Sequence, residues 1–248
     1  MSKGVADIDP RHLERLNAGL VEAGTLTECL AVDFAALMQQ ALPGMGSEAV
    51  RSMAAAAGSG ISKRMVLAGE LILAQGPDMV GQLPSHASDT VRGWACFVIG
   101  ARADLGLTER LALIRPLADD SHFGVREWAW MAVRPHLAAE LEPAIDQLAF
   151  WTAHASERVR RFASEALRPR GVWCAHIGEL KQQPALALPI LEPLRADPAG
   201  YVQLSLGNWL NDAGKDQPDF VRELCARWLE QSPVDATARI CKRALRSL

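Results

Sequence analysis

Indole and guanidinium groups are the side chains whose types and spacing could do chemistry in this sequence. Seven tryptophans occur in a chain with one tyrosine, and 21 of its 26 basic residues are arginine. Five of these arginines fall in one short stretch: Arg158, Arg160, Arg161, Arg168 and Arg170. An arginine fork matches phosphate oxygens, and the face of an indole attracts positive charge. The combination favours a flat aromatic or cationic ligand, but ion pairs on a solvated helix surface explain the arginines equally well.

Common catalytic and metal-binding patterns are missing from the sequence. It has no G-x-S-x-G, Walker, H-E-x-x-H or EF-hand pattern, and its six histidines lack the spacing of metal ligands. The five cysteines are dispersed without a C-x-x-C pair, which is typical of buried thiols in a reducing compartment. We therefore expect neither a metal nor another cofactor.

The composition indicates a chain that stays in the cytoplasm. No run of 18 apolar residues occurs, and the first ten residues lack the apolar segment of a signal peptide. The formal net charge of −3 argues against a nucleic-acid partner only if the charges are evenly spread. We expect no membrane contact and a cytoplasmic, nucleoid-associated location.

Six similar segments recur along the chain. They begin with Val-Arg at 50, 91, 125 and 159, with Val-Gln at 202 and with Ala-Arg at 238, at spacings of 34 to 43 residues. Within a copy the apolar residues follow helical spacing, and a second amphipathic stretch lies between copies. Such periods are the signature of repeat arrays. The sequence predicts an all-α solenoid of HEAT-like helical pairs, a right-handed superhelix with a concave ligand face.

The domain organisation follows from this repeat. We predict a single domain over 1–248, with an irregular helical cap over 1–45 and about six repeats over 46–248. A helix is predicted over 33–42 and a loop over 58–60, and second helices are predicted near 105–117, 138–150, 186–194 and 219–229. Pro135 and Pro169 are predicted to end their helices.

The repeat also lines up residues into columns. Arginines directly after the repeat start are predicted to be structural, pairing with an aspartate of the neighbouring unit: Arg51, Arg92, Arg126, Arg160 and Arg239. Arg134 and Arg168 share the column nine residues after the start and are predicted to face a ligand. Trp94 and Trp128 fall in a core column. Trp130 falls in a column of small residues, so we predict that it projects into an open groove.

Four segments resemble the AlkC branch of the AlkC/AlkD family of DNA alkylation-repair glycosylases. They are RPHL at 134–137, VRRFASEALRPR at 159–170 with the following Trp173, DPAGYVQLSLGNWLND at 197–212, and KDQP at 215–218. The resemblance covers roughly residues 85–230. It implies a solenoid that holds duplex DNA and hydrolyses the glycosidic bond of cationic alkylated bases such as 3-methyladenine. It also implies that no metal is needed and that the base is not flipped.

The resemblance also implies roles for individual residues. Asp212 matches the acidic residue of the family's L-N-D motif and is the expected catalytic carboxylate. Trp130, Trp173 and Asn211 are expected to contact the substrate. The expected DNA contacts are Arg134, Arg161, Arg168, Arg170 and Lys215. One departure stands out, because Trp130 occupies the slot of a family glutamate, and Glu127 is the carboxylate that could replace it.

Three functions remain compatible with the sequence. The first is a monomeric DNA glycosylase acting on alkylated duplex DNA through Asp212 and Glu127. The second is a non-catalytic solenoid that binds DNA, and the third is a solenoid that binds a protein partner.

Overall fold

The computed structural model describes residues 4–171 and 173–248, and every secondary-structure element among them is helical. The all-α prediction is confirmed. The α-helices are α1 Pro10–Asn17, α2 Leu26–Ala31, α3 Phe34–Ala41, α4 Ser47–Ala55, α5 Ile61–Leu73, α6 Pro77–Gly81, α7 Asp89–Ala101, α8 Leu107–Ala118, α9 Phe123–Ala139, α10 Leu141–Trp151, α11 Glu157–Glu165, α12 Gly178–Gln182, α13 Leu188–Leu194, α14 Gly200–Gly214, α15 Pro218–Gln231 and α16 Asp235–Ala244. Short 3-10 helices lie at Val5–Asp7, Leu83–Ser85 and Pro184–Ala187.

The chain divides into two compact units, Met1–Val133 and Arg134–Leu248. The division falls inside α9, so the first unit holds α1 to α8 and the second holds α10 to α16. The single domain, the superhelix and its concave face remain predictions. No helix in the described part of the chain is both long and apolar enough to cross a membrane.

In each unit, helices that carry the repeat start pack side by side. In the first unit, Gly93 and Gly100 on α7 lie against Trp128 and Ala132 on α9. In the second unit, α14 packs between α11 and α16, while α10, α13 and α15 provide the second helices of the pairs. Trp94 and Trp128 are buried at 0% and 4% exposure, which confirms that their column belongs to the core. The helix predicted over 33–42 and the loop at 58–60 are also confirmed.

The first copy of the repeat was placed on the wrong helix. The helix that packs along α7 is α5, whereas the predicted start at Val50 lies in α4, which packs on α3 and α5. A side chain at Gly69 of α5 would collide with the backbone of Phe97, so the two helices lie close together there. Arg51 accordingly does not join the column of arginines and donates to Ser47 in its own helix, at 3.2 Å.

Three of the arginines after the other repeat starts hold the turns between helices. From Nη1, each donates to the carbonyl groups five and six residues earlier, at 2.8 to 3.3 Å. These arginines are Arg92 on α7, Arg126 on α9 and Arg160 on α11. The guanidinium of Arg92 also pairs with Asp120, and that of Arg160 pairs with Asp197, so their predicted structural role is confirmed.

Proline has different effects at the two predicted helix ends. Pro169 follows the end of α11, as predicted, but Pro135 lies inside α9, which continues to Ala139. A proline ring removes one N–H from the helical ladder and often bends the helix. The buried side chains of Val133 and Leu137 on either side of Pro135 hold α9 against its neighbours despite that loss.

The Arg160–Asp197 pair gives a test of this turn architecture. Replacing Asp197 with Ala leaves a mostly buried guanidinium without its carboxylate and removes the acceptor for the Ala199 amide at the start of α14. We expect the free energy of unfolding, measured by urea denaturation, to fall by about 3 kcal/mol. Asp219→Ala is the matched control, since its pair with Arg222 is exposed and worth about 1 kcal/mol or less. Equal effects of the two variants would contradict this role of the turn.

Candidate active site

The second unit contains two buried carboxylates that share one guanidinium. Arg168 follows the end of α11 and donates from Nη1 to Glu165 Oε1 at 2.8 Å. The same side chain donates from Nε and Nη2 to Asp212 Oδ2 at 2.9 and 2.6 Å. Glu165 is the last residue of α11 and Asp212 lies on α14, so the guanidinium joins neighbouring repeats.

Glu165 is held as a carboxylate by the groups around it. Burial opposes its ionisation, but the positive charges of Arg161 and Arg168 and hydrogen bonds from Ser205 and Arg168 outweigh this effect. The pKa of Glu165 is therefore lowered below its ordinary value. Arg161 Nη2 lies 3.5 Å from Oε2, and the Ser205 hydroxyl donates to the same oxygen at 2.6 Å. The guanidinium of Arg161 also stacks on the ring of Tyr201, 4.7 Å from its centre.

The two oxygens of Asp212 have different surroundings. Oδ2 accepts both hydrogen bonds from Arg168, whereas Oδ1 accepts a hydrogen bond from the Lys215 ammonium, at 3.2 Å. The Asp212 side chain is 6% exposed, but that of Lys215 is 45% exposed. Oδ2 is thus fixed inside the protein, whereas Oδ1 is covered by the Lys215 side chain, which is exposed enough to move away.

Arg134 fixes the end of α11 from which Glu165 and Arg168 extend. It donates to the carbonyl groups of Ala166, Arg168 and Ala175, at 2.6 to 3.3 Å. It is 3% exposed, and burial, together with the positive charge of Arg168, lowers its pKa. A side chain at Gly171 would lie 3.2 Å from Arg134 Cζ and would collide with Cys174, which explains the glycine. The guanidinium of Arg134 is thus used to terminate a helix, and its contact with DNA remains a prediction.

Asn211 also turns out to be structural. It is 1% exposed and donates to the Ala244 carbonyl at 3.0 Å, which ties α14 to the end of α16. Its contact with substrate remains a prediction. Asp212, its neighbour in sequence, points to the other helix neighbour because adjacent residues on a helix face about 100° apart.

Trp173 lies in the loop between α11 and α12 and presents its ring to solvent. It is 57% exposed, and its φ of 61° places its backbone in the left-handed region, which residues other than glycine rarely adopt. The next helix, α12, begins five residues later at Gly178. Its contact with substrate remains a prediction.

Trp130 and Glu127 form a pair in the first unit. Trp130 is only 4% exposed, and its indole N–H donates to Glu127 Oε2 at 2.8 Å. The prediction that Trp130 projects into an open groove is wrong, because the ring packs inward while its one polar atom meets a carboxylate. A catalytic role for Glu127 and a substrate contact of Trp130 remain predictions.

The remaining predicted DNA contacts differ in availability. Arg161 and Arg168 are directed at the buried carboxylates, and Arg170 pairs with Asp216 at 2.8 and 2.9 Å. Of the five residues predicted to contact DNA, only Lys215 is exposed. The DNA contacts of Lys215 and of Arg161, Arg168 and Arg170 remain predictions.

Sequence reasoning missed Glu165 as a member of the site. The available signal was its spacing, because Glu165 precedes Arg168 by three residues and the two share one face of the chain near the helix end.

Another polar cluster, in the first unit, could be considered for a metal. Cys29 Sγ and His122 Nδ1 lie 3.8 and 3.7 Å from Asp89 Oδ2, although the three residues are far apart in sequence. His122 Nδ1 already accepts a hydrogen bond from the Gly124 N–H. The carbonyl oxygen of Ala23 is hydrogen-bonded to His122 Nε2, and the N–H of Ala23 donates to Asp89 Oδ1. Burial, and to a smaller extent the negative charge of Asp89, raises the pKa of Cys29 to about 12, so its thiol stays protonated. The three side chains form a structural hydrogen-bond network, and their ligand atoms do not fit a metal site.

The buried charges predict how stability depends on pH. Glu165→Gln removes the carboxylate between two arginines, and we expect the free energy of unfolding to fall by about 3 kcal/mol at neutral pH. Because the folded pKa is lowered, the stabilisation is complete above the ordinary value of 4.5 and is lost as pH falls through the folded value. Urea denaturation should therefore show the gap between wild type and variant closing only below pH 4.5.

The exposed Glu142→Gln serves as the control for this measurement, since it should leave stability unchanged across the same range. A gap for Glu165→Gln that widened toward acid would mean that the carboxylate is not stabilised in its charged form.

Comparison with known proteins gives relatives of the same fold. No family model matches the chain. A Bacillus subtilis (strain 168) protein, uncharacterized protein YhaZ, is 39% identical over 143 residues, which are 58% of this chain and 39% of that protein. The chain thus spans about two fifths of that relative's length.

Solved structures match over more of the chain. Alkylpurine DNA glycosylase AlkC from Pseudomonas fluorescens, bound to DNA containing an abasic site analog, has a TM-score of 0.71 at 23% identity. The match covers 100% of this chain and 65% of AlkC. AlkD2 from Streptococcus mutans has a TM-score of 0.60 at 19% identity, with 96% and 98% of the two chains covered. The chain therefore has the helical-repeat fold of AlkC and AlkD2, as the resemblance of its motifs to the AlkC/AlkD family led us to expect.

Proposed function

We propose that this protein is a DNA repair glycosylase that hydrolyses the N-glycosidic bond of cationic alkylated bases, such as 3-methyladenine, in duplex DNA. The observation that carries the proposal is the pair of buried carboxylates, Glu165 and Asp212, held by the guanidinium of Arg168. The fold shared with AlkC, which is solved with DNA containing an abasic site analog, supports DNA as the substrate.

The chemistry requires little more than a placed carboxylate. An alkylated purine already carries a positive charge, so the bond from its ring nitrogen to C1′ breaks with the electron pair moving to the base. The base leaves neutral, and the sugar becomes an oxocarbenium-like cation. A fixed negative charge next to C1′ stabilises that cation. A water then attacks C1′ and gives its proton to the carboxylate, which acts as general base.

Asp212 suits this role because its two oxygens can act separately. Arg168 holds Oδ2 with two hydrogen bonds and so fixes the plane of the carboxylate. Oδ1 is the reacting atom, since its contact with Lys215 is longer and that lysine is exposed. On binding DNA, the ammonium moves from Oδ1 to a backbone phosphate, and this uncovers the oxygen for the sugar and the water.

Glu165 is a positioning residue in this scheme. It is as buried as Asp212, accepts hydrogen bonds from Ser205 and Arg168 and balances the charges of Arg161 and Arg168. Arg168 is thereby kept in one orientation. Trp173, exposed in its loop, offers a flat ring face to the cationic base.

Asp212→Asn tests the assignment. The change removes the negative charge but keeps the shape, so we expect the single-turnover release of 3-methyladenine from methylated duplex DNA to fall at least ~100-fold. DNA affinity, measured by fluorescence anisotropy, should stay close to that of wild type.

Asp216→Asn is the matched control, because Asp216 lies four residues away and pairs with Arg170 instead of Arg168. It should release the base at nearly the wild-type rate. If wild type binds methylated DNA but releases no base, the protein is instead a non-catalytic binding solenoid, and the proposal fails.

A further inference from the structure

A basic groove lies between α14 and the C-terminal helix α16. It has a volume of about 570 Å³, and four of the side chains that line it are cationic: Arg239, Lys242, Arg243 and Arg246. Their spacing of three and four residues places the first three on one face of α16, and Arg246 follows in the turn after the helix. Leu204 and Pro198 supply an apolar wall, and no carboxylate lines the groove.

The charges of this groove are not neutralised within the described part of the chain. Arg239 donates to Gln203 at 2.9 Å, and Arg243 and Arg246 both donate to the amide oxygen of Asn208 at 2.9 and 3.0 Å. Both acceptors are neutral amides. Elsewhere in the same unit, by contrast, Arg160, Arg168 and Arg170 are each paired with carboxylates. A cluster of cations that neutral amides orient, without cancelling their charge, suits an anionic ligand.

The groove is built into the packing of the two helices. A side chain at Gly207 would lie 2.9 Å from Cβ of Arg243, so the glycine lets the stem of this arginine cross α14. Burial, then the positive charges of Arg246 and Arg168, lowers the pKa of Arg243. The field of the groove therefore reaches the guanidinium that holds Asp212.

The groove and the candidate active site share a face of α14. Asn208, which orients two of the arginines, precedes Asp212 by four residues, and side chains at this spacing are neighbours on a helix. A strand whose sugar lies at Asp212 can thus extend along α14 into the groove. The donors left over on each guanidinium match the geometry of phosphate oxygens.

We propose that this groove binds the phosphodiester backbone of the DNA strand next to the reacting nucleotide and sets the strand's register at Asp212. The identification of DNA as the ligand rests on the function proposed above. The groove contacts phosphates and sugars and leaves the bases unread, so its contribution is independent of sequence.

The test compares two double variants that remove the same charge. Arg243→Gln with Arg246→Gln removes two of the four cations of the groove. Arg222→Gln with Arg227→Gln removes two arginines of α15 that pair with Asp219 and Glu192. Affinity for a fluorescein-labelled duplex carrying an abasic-site analog is measured from about 50 to 200 mM NaCl. We expect the groove variant to lose about two units of the slope of log K against log [NaCl], because each phosphate contact contributes about 0.9. The α15 variant should keep the wild-type slope.

The outcomes separate the groove from the enzyme activity. If wild type releases base and both double variants keep the same slope, the groove proposal is overturned while the proposed function stands. If the groove variant alone loses slope but wild type releases no base, the groove binds DNA and the glycosylase proposal fails. A second groove variant, Arg243→Lys with Arg246→Lys, should recover the slope because it restores both charges. Failure to recover would mean that the glutamines act through the fold, which overturns the proposal.

Discussion

The guanidinium of Arg168 is the group on which the candidate site depends. Two carboxylates from neighbouring repeats, Glu165 and Asp212, would repel each other and resist burial without a cation between them. A planar fork satisfies both carboxylates at once, which an ammonium could not do with fixed geometry. The same guanidinium therefore joins α11 to α14 and sets the direction of the carboxylate to which we assign the chemistry.

Repeat packing supplies the rigid frame that this interaction needs. Arg134 uses its guanidinium to terminate α11, and Arg160 pairs with Asp197 at the turn before α14. Buried arginine is used here as a structural element that joins carbonyl groups and carboxylates between helices. In the groove along α16, by contrast, neutral amides orient the cations, and there we propose that a polyanion is held.

Much of the fold could be predicted from the sequence because the repeat is periodic and its helices are amphipathic. The repeat starts at Val91, Val125, Val159 and Val202 predicted α7, α9, α11 and α14, but Val50 misled because an Arg after a Val also occurs by chance on α4. Residue types alone could not separate Arg134 from Arg168, which share a column. The first meets backbone carbonyls and the second meets side-chain carboxylates, and that difference depends on where the chain turns after α11.

Candidate site residues were harder to predict for a related reason. Asp212 was found through its motif, but the role of Glu165 depends also on its contact with Ser205, 40 residues away, which the spacing of Glu165 and Arg168 does not reveal. Trp130 illustrates the opposite error. An unusual tryptophan suggested an open groove, whereas the indole is buried and bound to Glu127.

The most direct test of the central claim is the single-turnover rate of 3-methyladenine release by Arg168→Lys, measured with DNA saturated by enzyme. Lysine keeps the charge but cannot hold Glu165 and Asp212 together in fixed geometry. If the shared guanidinium positions the reacting carboxylate, the rate falls at least ~10-fold while DNA affinity is unchanged. An unchanged rate, or a loss confined to DNA affinity, would contradict the account.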